Sequence, residues 1–168
     1  SEQISQAGKE ASGTSNMKFC LNGSLVVGTM DGANVEIYER VGADNFFLFG
    51  MDVEQVTQLW NSHYISSRYY DSDPELKAAI DLIARGEFGD NFFAIIDNLL
   101  NADPYMVLAD FRSYMDIQTK IDQAYADPLK WAKMCVINIA RNGYFSSDRA
   151  VQDYINQVWG VAPLAINN

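Results

Sequence analysis

Apolar residues fall along the chain in two rhythms, and the change between them comes near residue 60. Before it, the apolar runs are short and unbroken. Leu25, Val26 and Val27, followed by Gly28 and Thr29, make a β-branched run typical of a buried strand. Asp31-Gly32-Ala33-Asn34 is a turn, and Asn34 is placed to cap a helix running through Glu39 or Arg40 and closed by Gly42. Asn45-Phe46-Phe47-Leu48-Phe49-Gly50 is a second continuous strand. Continuous strands separated by helices predict a parallel sheet covered on both faces. Residues 23 to 60 therefore predict a β-α-β-α unit that ends in a helix from Val53 to Trp60.

Beyond that point the spacing is helical. Asp71-Ser72-Asp73 caps a helix that starts at Pro74, continues to Ala84 and stops near Gly86. Phe92, Phe93, Ile95, Ile96, Leu99 and Leu100 make another helical stripe. A long helix from Asp110 to Ala126 places Phe111, Tyr114, Ile117, Ile121 and Tyr125 on one buried face. Asp127-Pro128 opens the next, with Trp131, Met134, Cys135 and Ile139 as its apolar positions, and Ser146-Ser147-Asp148 caps a last helix from Arg149 to Trp159. The fold class expected is α/β, with residues 1–60 as the β/α part and residues 61–168 as a mostly helical tail of the same domain.

Composition narrows the function classes. The chain has 168 residues, 48% of them hydrophobic, enough for one domain with its own core. It holds no apolar run of membrane-spanning length and no charged-then-apolar leader. Its first residue is Ser1, not methionine, as expected of a processed product or a piece of a longer protein. Cys20 and Cys135 lie far apart without metal-type spacing, which suits a reducing, cytoplasmic compartment and no metal. A net charge of −10 argues against nucleic acid or an anionic membrane as partner. His63 is the single histidine, so no Ser-His or Cys-His pair forms without it, and its neighbours Ser62, Tyr64 and Ser66 describe a polar loop. Asp31, Asp71 and Asp73 could bind a cation, but Asp71 and Asp73 are better explained as capping residues. Asp110, Arg112, Asp148 and Arg149 have the spacing of caps and solvated ion pairs.

The chemistry concentrates between Glu10 and Lys18. Ser12-Gly13-Thr14 is a small-residue turn whose hydroxyls could cap a helix running from Thr14 to Asn22, with Gly23 as its stop. The leading amides of such a helix are unpaired and the dipole is positive there, so an anion can dock. Side chains lean toward the N-terminus, so Lys18 projects back over Thr14. One turn is about 5.4 Å, which sets a phosphate on the amides and the lysine amine a small ring apart, the spacing pyridoxal phosphate requires. On spacing alone, a solvated lysine after an ordinary turn remains open. A Walker-type loop does not: Gly8 and Gly13 have the correct gap, but Thr14 rather than lysine follows. Glu10 suits a sugar hydroxyl as well as it suits a helix-flanking surface acid.

Residues Ser1 to Asn22 resemble the pyridoxal-phosphate attachment region of the α-glucan phosphorylases, the glycogen, starch and maltodextrin enzymes. The resemblance continues through Gly28 to Glu36 and Asn45 to Gly50, and again at Tyr125 to Trp131, Asn142 to Arg149 and Val158 to Val161; it is looser between Ser62 and Ser113. It implies a glycosyltransferase of an allosteric, dimeric enzyme family that moves a glucosyl unit from an α-1,4-glucan to inorganic phosphate, giving glucose 1-phosphate. Lys18 matches the lysine that forms the cofactor Schiff base. The cofactor is pyridoxal 5'-phosphate, whose phosphate relays a proton to the substrate phosphate. Gly13, Thr14 and Ser15 match the turn that holds the cofactor phosphate, although many members have glycine where this chain has Ser15. Glu10, Ser12 and Gly13 match positions that bind the glucosyl hydroxyls. The implied fold is a two-domain glycosyltransferase B type with its site between Rossmann-like domains. This chain would be the C-terminal segment of the second domain, its last helix reaching back toward the first. The phosphate-binding cations and the remaining catalytic groups, together with most subunit contacts, would then lie in the rest of the phosphorylase chain.

Overall fold

Alternation along the strands decides which layer each residue joins. A computed structural model describes residues 1–10 and 12–162. Its sheet has three short parallel strands, β1 (Glu2–Gln3), β2 (Val27–Gly28) and β3 (Phe47–Leu48), in the order β1-β2-β3. Glu2 pairs with Val27 and Gln3 with Gly28, while Val27 and Gly28 pair with Phe47 and Leu48. Leu25, Val27, Phe47 and Phe49 point to one face, and Val26 and Phe46 to the other, because successive side chains on a strand oppose each other. The first face is covered by α7 (Val107–Tyr125) and α8 (Pro128–Arg141) through Ile117, Ala124 and Met134. The second is covered by α1 (Thr14–Leu21) and α2 (Ala33–Val41) through Cys20, Ala33, Ile37 and Val41. The expected parallel sheet with both faces buried is therefore observed. Strand β1 is an addition: Glu2 and Gln3 are polar, and their place comes from pairing with β2 across a long stretch of chain rather than from a local pattern.

Four described helices start on a side-chain cap. Helix α3 (Val53–Asn61) opens with a capping box between Asp52 and Gln55. Asp73 accepts from the amides of Glu75 and Leu76 at the head of α5 (Pro74–Ala84), and Asp127 from those of Leu129 and Lys130 at the head of α8. Ser146 caps α9 (Ser147–Tyr154), which continues as a π-helical turn, Ile155–Trp159. Helices α4 (Ser66–Ser72) and α7 also differ from the sequence reading. Helix α4 occupies a stretch too polar to show a stripe, and it packs on α6 (Phe93–Asn101) and α7. Helix α7 starts at Val107 rather than Asp110, because the buried Asp103 carboxylate accepts from the amides of Val107 and Leu108, both at 2.9 Å. Tyr64 donates its phenol to the same carboxylate at 2.6 Å.

Some apolar positions lie outside the core. Phe93 is 70% exposed and Tyr125 69%, although Tyr125 stands edge-on to Trp131. Only Ile96, Leu99 and Leu100 of the α6 stripe pack inward, against Leu76, Ile80 and Leu108. Ile139 faces outward, and its turn of α8 is held instead by the fully buried Asn138, which donates to the carbonyl of Asn45 at 2.9 Å. No helix among the described residues is long and apolar enough to cross a membrane.

Candidate functional site

Parallel strands send their following loops off one edge of the sheet. The loop after β1, residues 4–13, and the loop after β2, residues 29–32, therefore meet at the carboxyl edge, where open α/β sheets receive their ligands. Asp31 joins the two. Its side chain, 7% exposed, accepts from the Gly8 amide at 2.9 Å through one oxygen and from the Glu10 amide at 2.7 Å through the other. Thr29 donates its hydroxyl to the Ser5 carbonyl at 2.8 Å. Gly32 lies beneath the same loop at φ 52°, and a β-carbon there would stand 2.8 Å from the Glu10 carbonyl oxygen and 3.1 Å from that of Ser12. Both the backbone angle and the close approach require glycine at that position.

The loop feeds directly into α1. Gly13 is its N-cap, and no described side chain caps the helix. This corrects the expectation that the Ser12 or Thr14 hydroxyl does so. Space accounts for the glycine, since a β-carbon on Gly13 would fall 2.6 Å from the Asn16 carboxamide oxygen and 3.1 Å from the β-carbon of Ala33. Thr14 and Ser15 are exposed at the leading turn, and Lys18 is exposed one turn further on. A helix that starts on glycine with no side-chain cap offers its first amides to an outside acceptor. Gly13, Thr14 and Ser15 stand at the leading turn of α1 and Lys18 in its last turn, with Ser12 exposed just ahead of the helix.

Asn34 also departs from its expected place. Rather than capping α2, it lies inside the helix and is fully buried, while Gly32 occupies the cap position. Its carboxamide donates to the Thr29 carbonyl at 3.0 Å and accepts from Asn16 of α1 at 2.5 Å. Asn16 in turn accepts from the Met17 amide at 3.0 Å. Gly28 makes room for this side chain, because a β-carbon there would lie 2.4 Å from the Asn34 amide nitrogen. The sequence does not single out Asp31, Asn34 and Asn16 as site-building residues. The available signal was the Asp-Gly-x-Asn pattern at Asp31–Asn34, which is equally the pattern of an ordinary turn.

Glu10 is half-buried and opens onto a cavity of about 590 Å³, whose wall includes Gln6, Tyr105, Asp110, Phe111 and Tyr114. Lys18 and the head of α1 do not line it. Gln6 is 4% exposed, and among the described residues neither atom of its amide has a partner. Burial raises the Asp110 carboxyl above its ordinary range, opposed by the Met51 amide that it accepts at 2.9 Å. Cys20, on the inner side of α1, is fully buried, and burial pushes its thiol up, with the Asn142 side chain opposing. Among the described residues no cluster of His, Cys, Asp and Glu could hold a metal ion, and His63 is exposed in a loop at φ 62°.

Comparison with known proteins places these features in one family. Residues 1–161 match the carbohydrate phosphorylase family model. Glycogen phosphorylase of Synechocystis sp. is 50% identical over 99% of the chain, and the brain form of human glycogen phosphorylase is 50% identical over 97%. The muscle form from mouse is 48% identical over 97%. In each case the chain spans about a fifth of the relative's length, 20%. The shared part takes in both the Glu10–Lys18 turn and the Asp31–Asn34 turn that supports it, and the chain belongs to the carbohydrate phosphorylase family.

Proposed function

We propose that this chain is the cofactor-bearing C-terminal segment of a glycogen, starch or maltodextrin phosphorylase. The parent enzyme cleaves α-1,4-glucan with inorganic phosphate to give glucose 1-phosphate. The observation that carries the reading is the head of α1: a glycine-led helix start with no described side-chain cap, and a solvent-facing lysine one turn in. These residues suit pyridoxal 5'-phosphate. Lys18 would carry it covalently, and the amides of Gly13, Thr14 and Ser15 would hold its phosphate. When bound, the cofactor supplies a phosphate able to exchange a proton with the substrate phosphate, a general acid-base role.

The chain's own residues orient and hold. Glu10 would accept a hydroxyl of the glucosyl unit, with Ser12 and Gly13 contributing beside it. The dipole of α1 favours an anion at its start, and Lys18 adds a positive charge on the same helix. A protein of net charge −10 needs further cations to hold two phosphates together, and the remainder of the parent chain would bring them. The three-stranded parallel sheet supports assignment to part of a Rossmann-like domain of the glycosyltransferase B type, with residues 61–168 as its helical tail. The parent is read as a cytoplasmic homodimer of an allosteric family.

Borohydride reduction of the parent enzyme followed by peptide mapping tests the assignment. A pyridoxyl group on Lys18 is expected. An unlabelled Lys18 in a folded, cofactor-supplied parent would show instead that the segment survives only as a packing unit.

A further inference from the structure

We propose that Asp31 and Asn34 are positioning residues with separate duties: Asp31 sets the loop that presents Glu10, and Asn34 sets the start of the helix that carries Lys18. The inference rests on the proposed phosphorylase reading of Glu10 and Lys18. Its structural basis is that one turn, residues 31–34, reaches both arms of the site through different side chains.

Asp31 acts through acceptor chemistry. Each carboxylate oxygen takes one backbone amide, from Gly8 and from Glu10, so the loop is held on both sides of Lys9. The geometry needs two acceptors. An asparagine of equal size would offer one oxygen and turn its NH₂ toward the second amide, donor against donor. Glu10 would then lose the bond that fixes its own backbone, while α1 keeps every contact it has with Asn34. Gly32 limits the same loop from below, because the Glu10 and Ser12 carbonyls rest against its bare α-carbon.

Asn34 acts through a relay with no charge in it. It spans from the Thr29 carbonyl at the end of β2 to Asn16 in the first turn of α1, and all three residues are buried. Asn16 sits two residues before Lys18 and passes the constraint to the Met17 amide. Removing the Asn34 carboxamide leaves the Asn16 amide buried without its partner, while the Thr29 carbonyl keeps only the Asp31 amide at 2.9 Å, which frees the head of α1 to shift. The Asp31 bonds to Gly8 and Glu10 do not pass through this relay.

The test uses the full-length parent enzyme loaded with pyridoxal phosphate. Asp31→Asn is expected to raise KM for glucose 1-phosphate about tenfold or more, with kcat changed less than about threefold and the cofactor absorbance and fluorescence unaltered. Amide hydrogen exchange at Gly8 and Glu10 should accelerate in that variant, a readout independent of turnover. Asn34→Ala is expected to do the reverse. The bound cofactor's dichroism changes and its loss on dialysis is about tenfold faster, while exchange at Gly8 and Glu10 stays near the wild-type rate.

Gly32→Ala presses on the loop from the opposite side and should reproduce the KM effect, so the proposal does not depend on one variant folding. Unchanged KM and unchanged exchange in Asp31→Asn would overturn it. So would cofactor loss in Asp31→Asn together with an intact cofactor signal in Asn34→Ala. A wild-type parent that makes no glucose 1-phosphate, or carries no label on Lys18, would remove the functional reading itself. Rapid exchange at Gly8 and Glu10 in the wild type would overturn the clamp alone.

Discussion

Asp103 does for the helical half what Asp31 does at the sheet edge: one buried carboxylate takes three donors, from Tyr64, Val107 and Leu108. Asp103→Ala strands all three, and a loss of about 3 kcal/mol is expected in denaturant titration of the folded parent. The pair also predicts a pH dependence. Burial first, and then the neighbouring Asp103 carboxylate, raise the Tyr64 phenol far above its ordinary value. A group raised in the folded state contributes its stability in full below its unfolded pKa, about 10, and loses it as pH climbs above that value. Unfolding measured from pH 9 to 11 should therefore show a fall in stability that Tyr64→Phe lessens, with the Tyr114 phenol, also raised by burial, contributing to what is left. At this scale the sequence exposed the residues proposed to carry chemistry, between Glu10 and Lys18, because they lie together in one short stretch. It hid those that hold them, since Asp31 bonds residues more than twenty positions away and Asn34 reaches back eighteen.

Among the elements, those with local punctuation were legible. Asp-Pro starts at α5 and α8, the Ser146 cap of α9 and the glycine after α2 all lie where propensity places them. Strand β1 and helix α4 were not, because a polar strand and a polar helix are selected by neighbours in space. Start positions also shifted where a distant side chain supplied the cap, as Asp103 does for α7. The two capping classes should separate by cost. Asp127→Ala removes an exposed cap and is expected to destabilise by about 1 kcal/mol, well below Asp103→Ala in the same titration. Val26, fully buried between the sheet and α1 and α2, belongs to a third class: Val26→Ala should cost about 2 kcal/mol through lost burial and an incompletely closed cavity.

Over the whole molecule, covered and uncovered faces are unevenly distributed. Both faces of the sheet are packed, yet Ile4 is exposed beside β1, Leu129 and Val136 on α8, and Val151, Tyr154, Val158 and Trp159 along the last helix and its π turn. So many exposed large apolar groups suit a segment that folds against more chain than it contains, in accord with relatives five times its length. The isolated 168 residues are expected to self-associate in light scattering and to produce no glucose 1-phosphate from maltooligosaccharides. Measurable product from this chain alone would contradict the proposed division of the site between it and the rest of the parent.

The two cysteines give this segment an internal clock. Cys20 lies sealed under α1, with its thiol held in the unreactive protonated form by burial, whereas Cys135 on α8 is partly open to solvent. A thiol reagent should therefore modify the native protein once quickly, and a second time only when α1 lifts from the sheet. Because Cys20 and Lys18 share a single turn of helix, the slow event times the loosening of the structure beneath Lys18. Slower second labelling on adding pyridoxal phosphate would mean that cofactor binding fastens α1 down; an unchanged rate would mean that the helix is already set.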